Sequence, residues 1–139
     1  MGIEENKAVV RRWVDATNEQ RLDLLDDLFT ADTYDNVGER SGVAWWKEVF
    51  GFLYETLPDW HWSLDDMVAE GDRVVARLTV LGTHQGSAIP FLQGVQPTGR
   101  PIVWTHHHTF RFTDGKIAEH WANRDDLGFL RQVSPPDTT

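Results

Sequence analysis

The spacing of apolar residues changes once along this 139-residue chain, near Pro58, and that change decides its class. Before it, Val9, Val10, Trp13, Val14 and Thr17 recur at three- and four-residue intervals and predict a helix over Ile3 to Asn18. Leu22, Leu25, Leu28 and Phe29 repeat the pattern in a shorter antiparallel helix from Arg21 to Phe29, with Asp23, Asp26 and Asp27 on its solvated side. A turn-rich stretch, Thr30 to Gly42, holds Tyr34, Asp35 and Asn36, and Ser41 then caps a third helix through about Glu55. Beyond Pro58 the period is two. Trp60, Trp62 and Leu64 alternate with polar residues, and Val74 to Thr83 is rich in β-branched side chains. Ile102–Phe112 and Ile117–Asn123 flank Thr113-Asp114-Gly115-Lys116 as a hairpin, and Leu127–Val133 forms a short last helix. Between the strands, Gly82 to Arg100 reads as a long, partly apolar loop of the kind that binds ligands. Helices first and strands afterwards make an α+β fold, with three N-terminal helices packed on one face of a curved antiparallel sheet. Residues 1–133 are expected to form one domain, and residues 134–139 a disordered tail.

Charge and composition narrow the partners. Thirteen basic against 22 acidic residues give −9, which disfavours nucleic acid and anionic membrane surfaces. The absence of cysteine excludes disulfides, thiolate metal sites and Cys nucleophiles. The acidic start and the lack of an apolar run of about 18 residues predict a non-exported, cytoplasmic protein. Seven tryptophans supply large aromatic walls for a core or a ligand.

The chemistry-bearing residues cluster in the last hairpin. In Trp104-Thr-His-His-His-Thr-Phe110, alternation puts His106 and His108 on one side of a strand and His107 on the other. A three-residue turn with Gly115 in a bulge sets His108 opposite His120 and His106 opposite Ala122. A two-residue Asp114-Gly115 turn instead sets His108 against Trp121 and His106 against Asn123, with Asp125 near the open end. Both registers are open to this sequence. Imidazoles titrate near neutrality, so converging histidines suit proton abstraction beside a carbonyl and stabilisation of the enolate. The plainer reading is that they are strand residues bonded to threonine and backbone. His-x-His with His120 and Glu119 is also a possible zinc or iron ligand set, although the bulged register turns Glu119 away. Asp125 either caps the last helix or reaches back toward the cavity. No phosphate-binding loop and no Gly-x-Ser-x-Gly elbow is present, and nothing indicates a nucleotide cofactor.

These residues resemble the SnoaL-like polyketide cyclases, an ester-cyclase family within the nuclear transport factor 2-like superfamily. The similarity is carried by Val9-Val10-Arg11-Arg12 with Asn18, Tyr34-Asp35-Asn36, Pro97-Thr-Gly-Arg100, His108, Arg111-Phe-Thr-Asp-Gly-Lys-Ile-Ala-Glu-His-Trp121, Asp125, Leu127-Gly128 and Leu130-Arg131-Gln132. It implies a cone-shaped α+β barrel with a deep apolar pocket, a homodimer or homotetramer, and no cofactor or metal. It also implies a polyketide cyclase-like lyase or isomerase acting on a small apolar or aromatic carbonyl-bearing metabolite. His108, His120 and Asp125 are then the catalytic candidates, and Asn36, His106, Trp104 and Trp121 the substrate-binding ones. The family's aspartate two residues after the strand histidine is Ala122 here. The alternatives are therefore a non-catalytic binding module for an apolar ligand and a hydroxylase or hydratase.

Overall fold

The helical period at the start of the chain is realised as α1 (Ile3–Asn18), which buries Val9, Val10, Trp13, Val14 and Thr17. The structure is a computed structural model that describes residues 2–134, so the expected tail lies, apart from Ser134, outside the described residues. The expected second helix is a six-residue 3-10 segment, Leu22–Asp27. A short stretch rich in aspartate nucleates an α-helix poorly.

The turn-rich stretch is in fact two strands, β1 (Phe29–Asp35) and β2 (Arg40–Ser41). Ser41 therefore pairs in the sheet and does not cap a helix. Gly42, at φ 99°, holds the N-cap position of α2 (Val43–Thr56) without a side-chain cap. The period-two half forms β3 (His61–Glu70), β4 (Arg73–Thr83), β5 (Pro101–Thr113) and β6 (Lys116–Arg124), followed by α3 (Asp126–Val133).

These strands make one curved, unclosed sheet in the order β2-β1-β6-β5-β4-β3. It is mixed rather than wholly antiparallel, because β1 runs parallel to β6 and brings Asp35 beside His120. Alternation along β5 is regular: Ile102, Trp104, His106, His108, Phe110 and Phe112 are buried against the helical side. Trp13, Trp46, Phe50, Trp62 and Phe110 belong to the same core. No described helix is long and apolar enough to cross a membrane.

The hairpin follows neither expected register. Its tip is the two-residue turn, with Asp114 and Gly115 both at positive φ (50° and 78°) and Thr113 paired with Lys116. Beyond the tip an extra residue, Ala118, bulges from β6. The pairing past the bulge becomes Phe110 with His120, His108 with Ala122 and His106 with Arg124. The bulge restores parity, so His106, His108 and His120 share one face, as in the three-residue alternative, with the partners displaced along the strand.

Candidate active site

Each of the three imidazoles meets its neighbour through a ring nitrogen. His106 Nδ1 lies 3.0 Å from His108 Nε2, and His108 Nδ1 lies 2.7 Å from His120 Nε2. His120 Nδ1 in turn lies 2.9 Å from Asp35 Oδ1. The result is a buried chain, Asp35–His120–His108–His106. Its one free ring nitrogen is His106 Nε2, which is buried and has no partner among the described residues.

Asp35 fixes the direction of this chain. Its Oδ1 also accepts the Val37 N–H, and its Oδ2 accepts the Gly38 N–H and the Trp45 indole N–H. Burial pushes the Asp35 carboxyl up, but hydrogen bonds from His120, Trp45 and Val37 act against it and its pKa lies below the usual carboxylate value. An ionised carboxylate only accepts, so His120 must carry its proton on Nδ1, and the same logic passes to His108 and His106. His106 Nε2 is then left as a bare lone pair.

Burial pulls the pKa of all three histidines down, well below the ordinary value at His106 and His108, where Arg124 and the neighbouring histidines add to the effect. At His120 burial and Arg124 act downward, whereas Asp35 opposes them. A positive charge in the chain is therefore best tolerated at His120. Indoles and a phenyl ring enclose the imidazoles: Trp104 stands edge-on 4.2 Å from His106, Trp46 4.5 Å from His120, and Trp13 5.3 Å from His108.

The open space comes in two parts. An inner chamber of about 40 Å³ touches all three histidines, Ala122, Trp13, Trp46 and Trp62. That is room for roughly one water-sized group. An outer vestibule of about 250 Å³ is walled by Trp45, Phe52, Ile89 and Pro90. Asp35, Val37, Val49, Leu53 and Arg124 line both, so the two adjoin. The indole N–H groups of Trp13 and Trp46 have no hydrogen-bond partner among the described residues.

The sequence candidates divide between this face and others. His106, His108 and His120 come together. Trp104 touches His106 from beside the chamber, and its N–H donates to Asp126. Asn36 does not reach the cavity: its amide donates to Glu119 and to the His120 carbonyl, pinning β1 to β6. Trp121 falls on the opposite face by alternation and stacks with Arg73. Asp125 is exposed and accepts the Gly128 N–H, which makes it the N-cap of α3. Glu119 pairs with Arg111 on the outer face, away from the three imidazoles. The histidine nitrogens face one another rather than a common point, and no cluster of three or more His, Asp or Glu suited to a metal occurs among the described residues.

Asp35 and Arg124 are the site residues that sequence reasoning missed. Asp35 sits inside the Tyr34-Asp35-Asn36 motif, but only the parallel pairing of β1 with β6 reveals which member faces inward. Arg124 shares the parity of His120 and Ala122 along β6, an alternation that the sequence itself offered.

The family model for SnoaL-like polyketide cyclases matches residues 7–133. Aklanonic acid methyl ester cyclase DauD from Streptomyces sp. (strain C5) is 30% identical over 135 residues, covering 92% of this chain and 81% of the relative. Nogalonic acid methyl ester cyclase from Streptomyces nogalater is 29% identical over 129 residues, covering 88% and 92%. Among solved structures, TsrD from Streptomyces laurentii superposes with a TM-score of 0.85 at 27% identity, covering 96% of this chain and 98% of that one.

Proposed function

Because this chain belongs to the SnoaL-like polyketide cyclase family, we propose that it is a cyclase-type enzyme that removes a proton from the carbon next to a carbonyl in a small, largely apolar substrate, with His106 Nε2 as the base. The observation that carries this reading is the buried chain Asp35–His120–His108–His106 with its single free nitrogen.

The proton leaves carbon for His106 Nε2, and the C–H electron pair moves onto the carbonyl oxygen as an enolate. His106 Nδ1–H then passes its proton to His108 Nε2, and His108 Nδ1–H passes one to His120 Nε2. The positive charge comes to rest at His120 against Asp35, where it is best tolerated. The indole N–H of Trp13 or Trp46 is available to the enolate oxygen. Attack of the enolate carbon on a second carbonyl of the same molecule forms the C–C bond, and the new alkoxide takes the proton back through His106. The cycle is redox-neutral and uses only groups of this chain. Ring closure is what the names of the methyl ester cyclase relatives describe.

Exchange of α-protons for deuterium in small aryl ketones, with acetophenone as the smallest probe, tests the reading by NMR. The wild-type protein should accelerate exchange above the buffer rate. His106→Gln keeps a donor toward His108 but removes the basic nitrogen, and should lower the acceleration by about 10²–10⁴-fold with the fold intact by circular dichroism. Ligand binding without any acceleration of exchange would leave a binding module in its place.

A further inference from the structure

We propose that the substrate carries a carboxylate, bound by Arg124 at the junction of vestibule and chamber while the reacting carbonyl enters among the histidines; the assignment rests on the acid/base reading above and names the substrate class for that site. Two charged side chains line the junction, Asp35 and Arg124. Asp35 is closed to a ligand, since each of its oxygens already accepts two donors.

Arg124 is open. Of its five N–H donors, the side-chain hydrogen bond found among the described residues is Nη2 to Asp126 Oδ2 at 3.3 Å, and 25% of the side chain is exposed. Its guanidinium carbon lies 5.4 Å from the centroid of the Trp104 ring, a cation–π contact that leaves the N–H edge of the planar group for a partner. Asp126 shares its carboxylate with the Trp104 N–H, so it is only partly committed to Arg124.

The remaining walls of the vestibule are mostly apolar, as Val49, Phe52, Leu53 and Ile89 illustrate. An apolar body with one anionic group fits this lining. Register sets the spacing: Arg124 is the direct cross-strand partner of His106, so the anion site and the base are neighbours and the carboxylate lies a few bonds from the reacting carbon. Arg124 is the one Lys or Arg in this lining and is held by Asp126 through a single 3.3 Å contact, so on a chain of net charge −9 it is a selective feature at the inner end of an apolar passage. Arg124 also opposes protonation of the three histidines, and pairing it with a carboxylate lifts that opposition as the base takes its proton.

Calorimetric titration with 3-benzoylpropionate and with its methyl ester decides the matter, because the pair shares the aryl ketone and differs at the carboxyl group, an anion in one and a neutral ester in the other. The wild-type protein should bind the acid about ten- to a hundredfold more tightly, the range expected of one charge-assisted contact. Arg124→Gln should abolish the preference while still binding the ester, and Arg124→Lys should retain part of it. Equal or tighter binding of the ester by wild type overturns the proposal, as does no binding of either at millimolar concentration, or a folded Arg124→Gln that keeps the preference. The wild-type comparison stands without any variant. Deuterium exchange in the same samples separates the two readings: a preference for the acid without exchange strikes the acid/base function alone, whereas exchange of both probes without a preference strikes the carboxylate site alone.

Discussion

A neutral imidazole has one donor and one acceptor, so a row of them is directional, and the group at its end decides which way it points. Asp35 is that group. In Asp35→Asn the amide NH2 avoids the position that faces two fixed donors, Gly38 N–H and Trp45 N–H, and takes the other, where Val37 N–H is the one fixed donor and His120 can change tautomer. Donation to His120 Nδ1 then reverses every bond in the row and leaves His106 Nε2 protonated. The expected outcome is loss of about 10²-fold or more in α-proton exchange, in line with other bases given the wrong tautomer. Ring ¹⁵N shifts should move from Nδ1–H to Nε2–H at all three histidines, a signature that a merely loosened structure would not produce. That His106 and His108 share a face was legible in the alternation of Trp104-Thr-His-His-His-Thr-Phe110, whereas His120 joined them in only one of the two registers that the turn allowed. The carboxylate was not, because it reaches the row from β1 rather than from the position of Ala122, which pairs with His108.

Among the elements, legibility followed locality. β5 and α1 carry their own periodicity and were readable to within a residue or two of their ends. β1 has an irregular burial pattern and a polar sequence, Thr-Ala-Asp-Thr-Tyr-Asp, whose strand character comes from pairing with β6 far away in the chain. The bulge at Ala118 has no residue signature in Lys-Ile-Ala-Glu, so turn chemistry alone gave two registers and the molecule uses a third. At α3 the alternatives for Asp125 were a cap or a pocket residue, and the Gly128 N–H at 3.0 Å makes it a cap. A Cβ at Gly128 would meet the Asp125 carboxylate, so a larger residue there would have to displace the cap. Asp125→Ala should therefore cost about 1 kcal/mol of stability in urea titrations. Its α-proton exchange rate should match wild type; a large loss of exchange at unchanged stability would return Asp125 to the site.

For the molecule as a whole, the passage from helices to the main strands was readable because it depends on one change of period, whereas the narrowness of the chamber depends on how three indoles, Trp13, Trp46 and Trp62, meet over the sheet face. That packing has a thermodynamic consequence. His106, His108 and His120 are held neutral by burial, below the value of about 6.5 they have in the unfolded chain. Between that value and the lower folded one, the unfolded state binds more protons, so stability falls as pH falls, by about 1.4 kcal/mol per pH unit for each ring concerned. Asp35 behaves differently. Its depressed pKa stabilises the fold above the ordinary carboxylate range, and that contribution is lost only as pH drops through the lower folded value. Acid destabilisation should accordingly begin near pH 6.5, well above the range in which Asp35 takes up its proton. Urea unfolding at pH 7.5, 6.5, 5.5 and 5.0 should show a steady fall in midpoint below pH 6.5, and His106→Gln, with one ring fewer, should show a shallower slope over the same range. A flat profile down to pH 5 would mean that the rings take up protons in the folded protein as readily as in the unfolded one, and the directional row of neutral imidazoles would then not exist at working pH.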